Sequence, residues 1–348
     1  MKAARGEAVG GGERGLNSMR ILLVNRAKVP VFAYGGTERV IWNLARALVD
    51  MGHEVTFLVP EGSHCDFANV LILDKDKPLK PQIPKGFDIV HFQSLPDFDP
   101  DGDFDQPYIM TEHGNANKPP TTRYLNTVFI SADQAKRHNS DIFVYNGLSW
   151  DEYGDVDFTS KRPHYHFLGK ASWPAKNVRG AINVAYDAGV TLAVLGGNRL
   201  NFSRGFRFTL WPWIHFYGMV GGAEKFRLLN QSQGMIFPVR WYEPFGLAII
   251  ESLYFGCPVF STPYGSLNEI VGRDVGYLSN SRSDLARAVK EMSFDRRRCH
   301  DYVRDTYNAR VMAEGYVKIY ERVLNGEKLN PHRPELIDRE VNKLPWLP

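Results

Sequence analysis

Short apolar, β-branched runs bounded by turn residues alternate along this chain with segments whose apolar positions recur at helical spacing. ILLVN (21–25) predicts a buried strand. In VIWNLARAL (40–48), Val40, Ile41, Leu44, Ala45 and Leu48 fall on one helical stripe. Further strands are predicted over 54–60 (EVTFLVP), 87–93 (FDIVHFQ), 108–113 (YIMTEH) and 127–132 (TVFISA), with a short helix over 132–138. After residue 160 the pattern restarts. Strands over 165–170, 191–197, 234–239 and 258–263 alternate with helices over 178–189, 223–232, 244–256 and 283–292. Gly189 suits the position just past a helix and Pro244 the first turn of one. A last helix covers 311–324, and the four prolines of 331–348 predict an extended tail.

Strands alternating with helices predict an α/β fold whose sheets are parallel and doubly wound. The restart predicts two Rossmann-like domains, in keeping with 348 residues. The expected divisions are a disordered leader over 1–18, a first domain over 19–155, a second over 156–310, a terminal helix over 311–330 and a tail over 331–348. The boundary falls in the polar, turn-rich stretch 146–163. At 43% hydrophobic and 23% charged, the composition excludes a mainly disordered, collagenous or fibrous chain. No run approaches the ~18 apolar residues of a membrane span. The Gly-rich first 18 residues lack the apolar centre of a signal peptide. Cys65, Cys257 and Cys299 are widely spaced with no C-x-x-C, so neither a disulfide framework nor a zinc site is expected, and a cytoplasmic location fits.

Charge is unevenly spread. Residues 19–150 carry 13 Lys and Arg against 16 Asp and Glu, while residues 151–348 carry 26 against 21. An acidic front half and a basic back half place an anionic ligand mainly on the back half. No basic run is long enough to argue for nucleic acid. Neither half shows G-x-G-x-x-G after its first strand, which weakens a dinucleotide oxidoreductase reading.

Four segments carry candidate chemistry. In EPFGLAIIE (243–251), the predicted helix start would offer the amides of Phe245, Gly246 and Leu247 to an anion. Glu243 and Glu251 are eight residues apart, about 12 Å along a helix, so they suit the two ends of an elongated ligand rather than a catalytic pair. In HFLGKASWPAK, Lys170 and Lys176 follow a strand and suit a diphosphate. Gly35 and Gly36 precede a helix after the first strand, where a phosphate or sugar can come close. His113 ends a strand at the edge where open sheets bind ligands.

Taken in order, these segments resemble the family-four glycosyltransferases of GT-B fold (glycosyl transferases group 1). The Gly35–Gly36 loop, Thr111–His113, the Gly169–Lys176 loop, Glu243-x7-Glu251 and the Gly256–Val259 strand entry match that family's sequence of motifs over roughly 19–325. The resemblance implies two Rossmann-like domains facing a cleft, with the final helix crossing back to the first domain. It implies a retaining, metal-independent hexosyltransferase-type enzyme with no cofactor. The donor would be a UDP- or GDP-sugar, UDP favoured, and the acceptor a sugar or small-molecule hydroxyl. By resemblance, Lys170 and Lys176 would hold the diphosphate, Glu251 the ribose, and Glu243 and His113 the donor sugar near its reacting carbon. Gly36 would approach the donor phosphate and the acceptor, with the first domain on the acceptor side. Relatives acting on anionic lipids carry a basic first domain; the acidic one here points to a soluble or neutral acceptor and leaves membrane contact unsupported.

The chain departs from the family where Lys170 replaces an arginine and Trp173 an acidic residue. Two other readings remain open on the same fold. One is a sugar-nucleotide epimerase, which needs flanking acid and base carboxylates that the sequence does not place. The other is a non-catalytic nucleotide-sugar-binding protein. DFDPDGDFD (97–105) matches the start of a calcium loop but has Tyr108 at position twelve and Pro100 within it, so it reads as a solvated acidic loop. The aromatic stretch 204–218, including Phe206–Tyr217, reads as packing beneath a loop rather than an acceptor or base platform.

Overall fold

The computed structural model describes residues 18–30, 35–116, 119–201, 207–337 and 343–348. The expected leader lies outside the described residues except for Ser18, whose Oγ donates to Gly52 O at 2.7 Å.

The first sheet comprises β1 (Arg20–Val24), β2 (Glu54–Pro60), β3 (Asn69–Leu73), β4 (Ile89–Phe92), β5 (Tyr108–Glu112) and β6 (Thr127–Phe129). Its order is β3-β2-β1-β4-β5-β6, and all of its strand pairs are parallel. Ile21 of the central strand pairs with Val55 on one side and Ile89 on the other. Helices cover both faces of such a sheet, so its central strands read as unbroken apolar runs: Ile21, Leu22 and Leu23 have no exposed surface. Connecting helices include α1 (Gly36–Asp50), the short α2 (Pro100–Asp103) and α3 (Ala132–Arg137).

The second sheet repeats the plan with β7 (His164–Leu168), β8 (Leu192–Leu195), β11 (Ile214–Phe216), β12 (Ser232–Phe237), β13 (Val259–Ser261) and β14 (Gly276–Leu278). Its order is β11-β8-β7-β12-β13-β14, again all parallel. A small antiparallel pair, β9 (Leu200–Asn201) and β10 (Arg207–Phe208), is inserted after β8. Five further helices, α4 (Val178–Ala188), α5 (Gly222–Asn230), α6 (Leu247–Tyr254), α7 (Leu267–Ile270) and α8 (Arg282–Glu291), lie between or after these strands, followed by α9 (Arg296–Thr306). Numbered within its own domain and without the inserted pair, each sheet has the order 3-2-1-4-5-6 of a Rossmann domain.

The last helix, α10 (Ala309–Leu324), returns to the first domain. Met312, Ala313, Tyr316, Ile319 and Tyr320 are buried in one core with Val40, Ile41, Leu44 and Leu48 of α1. The outgoing and returning segments run side by side, with Ala309 N donating to Leu148 O at 3.0 Å. The tail is extended on both domains: Ile337 N donates to Arg137 O in the first, and Leu347 N to Asn280 O in the second.

Several elements differ from the sequence expectation. The strand expected over 127–132 ends at Phe129, because Ser131 turns to cap α3 and its Oγ accepts from Gln134 N at 3.2 Å. The helix expected from Pro244 begins at Leu247. Glu243 is held extended by a bridge to Gly265, and Gly246 takes a left-handed φ of 87° that interrupts a right-handed helix. Strands β3, β11 and β14 have no counterpart in the expected pattern, whereas Arg296–Arg298, which read as a solvated helix face, open α9. β3 is an edge strand with Leu71 and Ile72 partly exposed, so its apolar residues follow neither a clean alternation nor a buried run.

Candidate active site

A cavity of about 410 Å³ lies between the two domains at the carboxyl ends of their strands. Gly35, Gly36, Arg39 and His113 line it from the first domain. Gly169, Lys176, Lys225, Glu243, Phe245, Gly246, Leu247 and Glu251 line it from the second. Its walls approach closely: a Cβ on Gly36 would lie 3.1 Å from Leu247 Cδ1. A side chain on Gly36 would make the Leu247 side chain shift, so the start of α1 and the start of α6 meet closely here.

Glu251 lines the cavity and is buried. Its Oε1 accepts from Arg39 Nη1 at 2.7 Å, Tyr153 Oη at 2.7 Å and Lys225 Nζ at 2.6 Å. Burial alone would raise its pKa; Lys225 and Arg39 outweigh that and hold it well below the usual carboxylate range. Oε2 has no protein partner among the described residues, so a ligand hydroxyl can use it. Arg39 comes from α1, Tyr153 from the interdomain connection and Lys225 from α5. None of the three stood out in the sequence by spacing. Lys225 alone carried a signal, since it shares a helical face with the buried Leu228 and Leu229.

Glu243 is bound differently. Its Oε2 accepts from Lys176 Nζ at 2.6 Å and from Trp241 Nε1 at 2.8 Å. The Lys176 ammonium also lies 4.7 Å from the Trp241 ring centroid, within cation–π range. Trp173, where the family pattern has an acidic residue, meets Trp241 edge-on at 5.8 Å, and both line the cavity.

His113 lines the cavity and is otherwise enclosed by protein, which pushes its pKa down to about 4 and keeps it neutral near pH 7. Its Nε2 lies 2.8 Å from Gln93 Oε1 and donates to it. A neutral ring then leaves Nδ1 as a lone acceptor for a hydroxyl. Lys170 lies apart from this group: its side chain is exposed on the loop after β7, outside the cavity lining. Thus the structure brings Gly35, Gly36, His113, Lys176, Glu243, Phe245, Gly246, Leu247 and Glu251 together and leaves Lys170 exposed beside Gly169, outside the lining.

Two other candidates have structural partners. In the acidic loop, Arg333 pairs with Asp99 and Asp101, Arg26 with Asp97, and Lys85 with Asp105. Among the described residues, no group of three His, Cys, Asp or Glu side chains is placed to hold a metal ion. The aromatic stretch lies partly outside the described residues. Its Trp211 and Trp213 meet Tyr186, at 4.6 Å and 6.3 Å, away from the cavity, but all three rings are exposed rather than packed beneath a loop as expected. No described helix is long and apolar enough to cross a membrane.

Comparison with known proteins agrees with this architecture. The model of Glycosyltransferase Family 4 matches residues 34–146, and that of Glycosyl transferases group 1 matches residues 203–309. Among solved structures, AviGT4, a glycosyltransferase involved in avilamycin A biosynthesis, superposes with a TM-score of 0.68 at 21% identity, covering 89% of this chain and 99% of that one. Anabaena Alr3699/HepE in complex with UDP and glucose gives 0.60 at 13% identity, covering 87% and 99%. An uncharacterized 41.2 kDa protein in the cps region of Klebsiella pneumoniae is 23% identical over 116 residues, 31% of this chain and 32% of its own length. Sucrose synthase 1 of Oryza sativa subsp. japonica is 30% identical over 79 residues, 22% of this chain and 10% of its own. The chain thus spans about a third and a tenth of these two relatives. Two parallel Rossmann-like sheets facing a lined cleft define the GT-B class. The fold of the chain is that of the GT-B glycosyltransferases, and the family 4 and group 1 models each match about a third of it, one in each domain.

Proposed function

We propose that the chain transfers a sugar from a nucleoside diphosphate donor to an acceptor hydroxyl, with retention of anomeric configuration and without a metal. The observation that carries this reading is the shared cavity. It holds two partnered carboxylates, Glu251 and Glu243, with the start of α6 between them in sequence. Glu251 Oε2 takes a ribose hydroxyl and Glu243 the donor sugar. The amides at Phe245, Gly246 and Leu247 face the diphosphate, helped by Lys176 and, from the rim, Lys170. UDP is the favoured nucleotide over GDP, in keeping with the UDP and glucose bound in the HepE structure.

In the reaction, the acceptor oxygen bonds to the anomeric carbon on the face from which the diphosphate departs. The bond from that carbon to the diphosphate oxygen breaks, and the acceptor proton passes to a phosphate oxygen. His113, neutral, orients a donor-sugar hydroxyl through Nδ1. Closure of the domains excludes water and limits hydrolysis. The acceptor is a soluble or neutral molecule, met from the acidic first domain.

A thermal-shift screen across UDP-, GDP- and ADP-sugars tests the donor. At one hundred times Kd, a donor stabilises by about 2.7 kcal/mol, a shift of a few degrees. The donor that shifts the protein should release its sugar to an acceptor, and the product anomer read by NMR should keep the donor's configuration. An inverted product would refute retention; no shift with any nucleotide sugar would refute the donor class.

A further inference from the structure

Among the described residues, Arg39 is the one cation of the first domain that lines the cavity. Its Nη1 is committed to Glu251 Oε1 and Tyr153 Oη, both at 2.7 Å. Its Nη2 and Nε have no protein partner among the described residues, and a third of the side chain remains exposed. Glu251 does not need Arg39 for neutrality, because Lys225 already pairs with the same oxygen at 2.6 Å. Glu152 also lines the cavity within electrostatic reach of Arg39, so the two cations face two carboxylates and it is the open edge of Arg39, not a net charge, that marks it out. The remaining guanidinium edge is planar and rigid, a shape that matches the oxygens of a phosphate in pairs.

We propose that Arg39 is a donor-phosphate contact supplied by the first domain. This rests on the nucleotide-sugar reading of the cavity. Arg39 grips the second domain through Glu251 Oε1 and offers its free edge to the diphosphate, while Glu251 Oε2 takes the ribose. One ligand then engages both domains at a single ion pair, and donor binding favours the closed cleft.

The test compares a nucleoside diphosphate with its nucleoside, UDP with uridine and GDP with guanosine, titrated into the full chain by calorimetry or NMR. Arg39→Met should weaken the diphosphate about tenfold or more and the nucleoside less than about twofold, with Arg39→Lys intermediate on the diphosphate. Equal losses on both ligands would show that Arg39 acts only by orienting Glu251, and unchanged diphosphate affinity would show no contact; either result overturns the proposal. Should Arg39→Met fail to fold, Arg39→Lys decides by the same comparison: a loss confined to the diphosphate supports the contact, and no loss or parallel losses overturn it. If neither diphosphate binds the wild-type chain, the UDP- or GDP-donor reading falls and the proposal with it, whereas the other outcomes leave that reading standing.

Discussion

The two ends of the cavity are built on different principles. At the Glu243 end, the carboxylate is held by Lys176 and Trp241, both from the second domain. At the Glu251 end, three donors converge on one oxygen, from the first domain, the interdomain connection and the second domain. Glu243 is therefore set within one folding unit, while Glu251 depends on how the two domains meet. A second interdomain contact has the same character. Glu269 of α7 accepts from the amides of Ala132 and Asp133 at the start of α3, and from Tyr145 Oη. The Glu243 carboxylate is thus positioned by one domain, although His113 of the other lines the same cavity, whereas Glu251 draws its partners from both.

The strongest way to break this contrast is at Glu251 itself. Glu251→Ala removes the carboxylate that Arg39 and Lys225 share, leaving the buried Lys225 ammonium without its ion-pair partner. It should cost about 3–5 kcal/mol in denaturant unfolding, the usual loss when one member of a buried pair is removed. Glu243→Ala should cost less, because it strands one ammonium that keeps its contact with the Trp241 ring. Equal losses would show that the two ends are not differently built.

Acid should act next in order of size. The ordinary histidine value is 6.5 and that of His113 is about 4. On lowering the pH, the unfolded chain takes up this proton first, so stability is full above 6.5 and falls between 6.5 and 4. The slope is up to about 1.4 kcal/mol per pH unit for this ring, reduced by its partial exposure to the cavity. Urea midpoints at pH 7 and pH 5 should differ less in His113→Gln than in the wild-type chain.

Gly246→Ala tests the turn between the two ends. The left-handed φ of 87° and a Cβ only 3.0 Å from Ile249 Cγ1 predict a loss of about 1–2 kcal/mol, together with weaker donor binding. The smallest effect belongs outside the cavity. Lys85→Ala, which removes an exposed partner of Asp105 among the paired carboxylates of the acidic loop, should leave the urea midpoint unchanged within error. Millimolar calcium should leave the wild-type melting temperature unchanged, since those carboxylates are already paired.

Much of the fold was legible because buried parallel strands and amphipathic helices leave opposite signatures. β1, β2, β4, β5, α1, α4 and α10 stood where their patterns placed them, within a few residues. Elements at the margins were not legible. β3 is an exposed edge, and β11 lies within a run of aromatic residues that masks any period. Glu243, Glu251, Lys176 and His113 could be picked out because each sits beside a strand end or helix start in a recognisable motif. Arg39, Tyr153 and Lys225 could not, because they come from three separate segments and meet only through folding. Lys170 illustrates the converse: its motif position was clear, but the exposed loop carries its side chain out of the cavity lining.

The most direct test of the central claim is calorimetric titration of one nucleoside diphosphate, UDP first, into wild-type, Glu251→Gln and Glu243→Gln chains. With the nucleotide at the Glu251 end, Glu251→Gln should weaken binding about tenfold or more, while Glu243→Gln should stay within about threefold of the wild-type value. Equal losses in the two variants, or unchanged affinity in Glu251→Gln, would contradict the account.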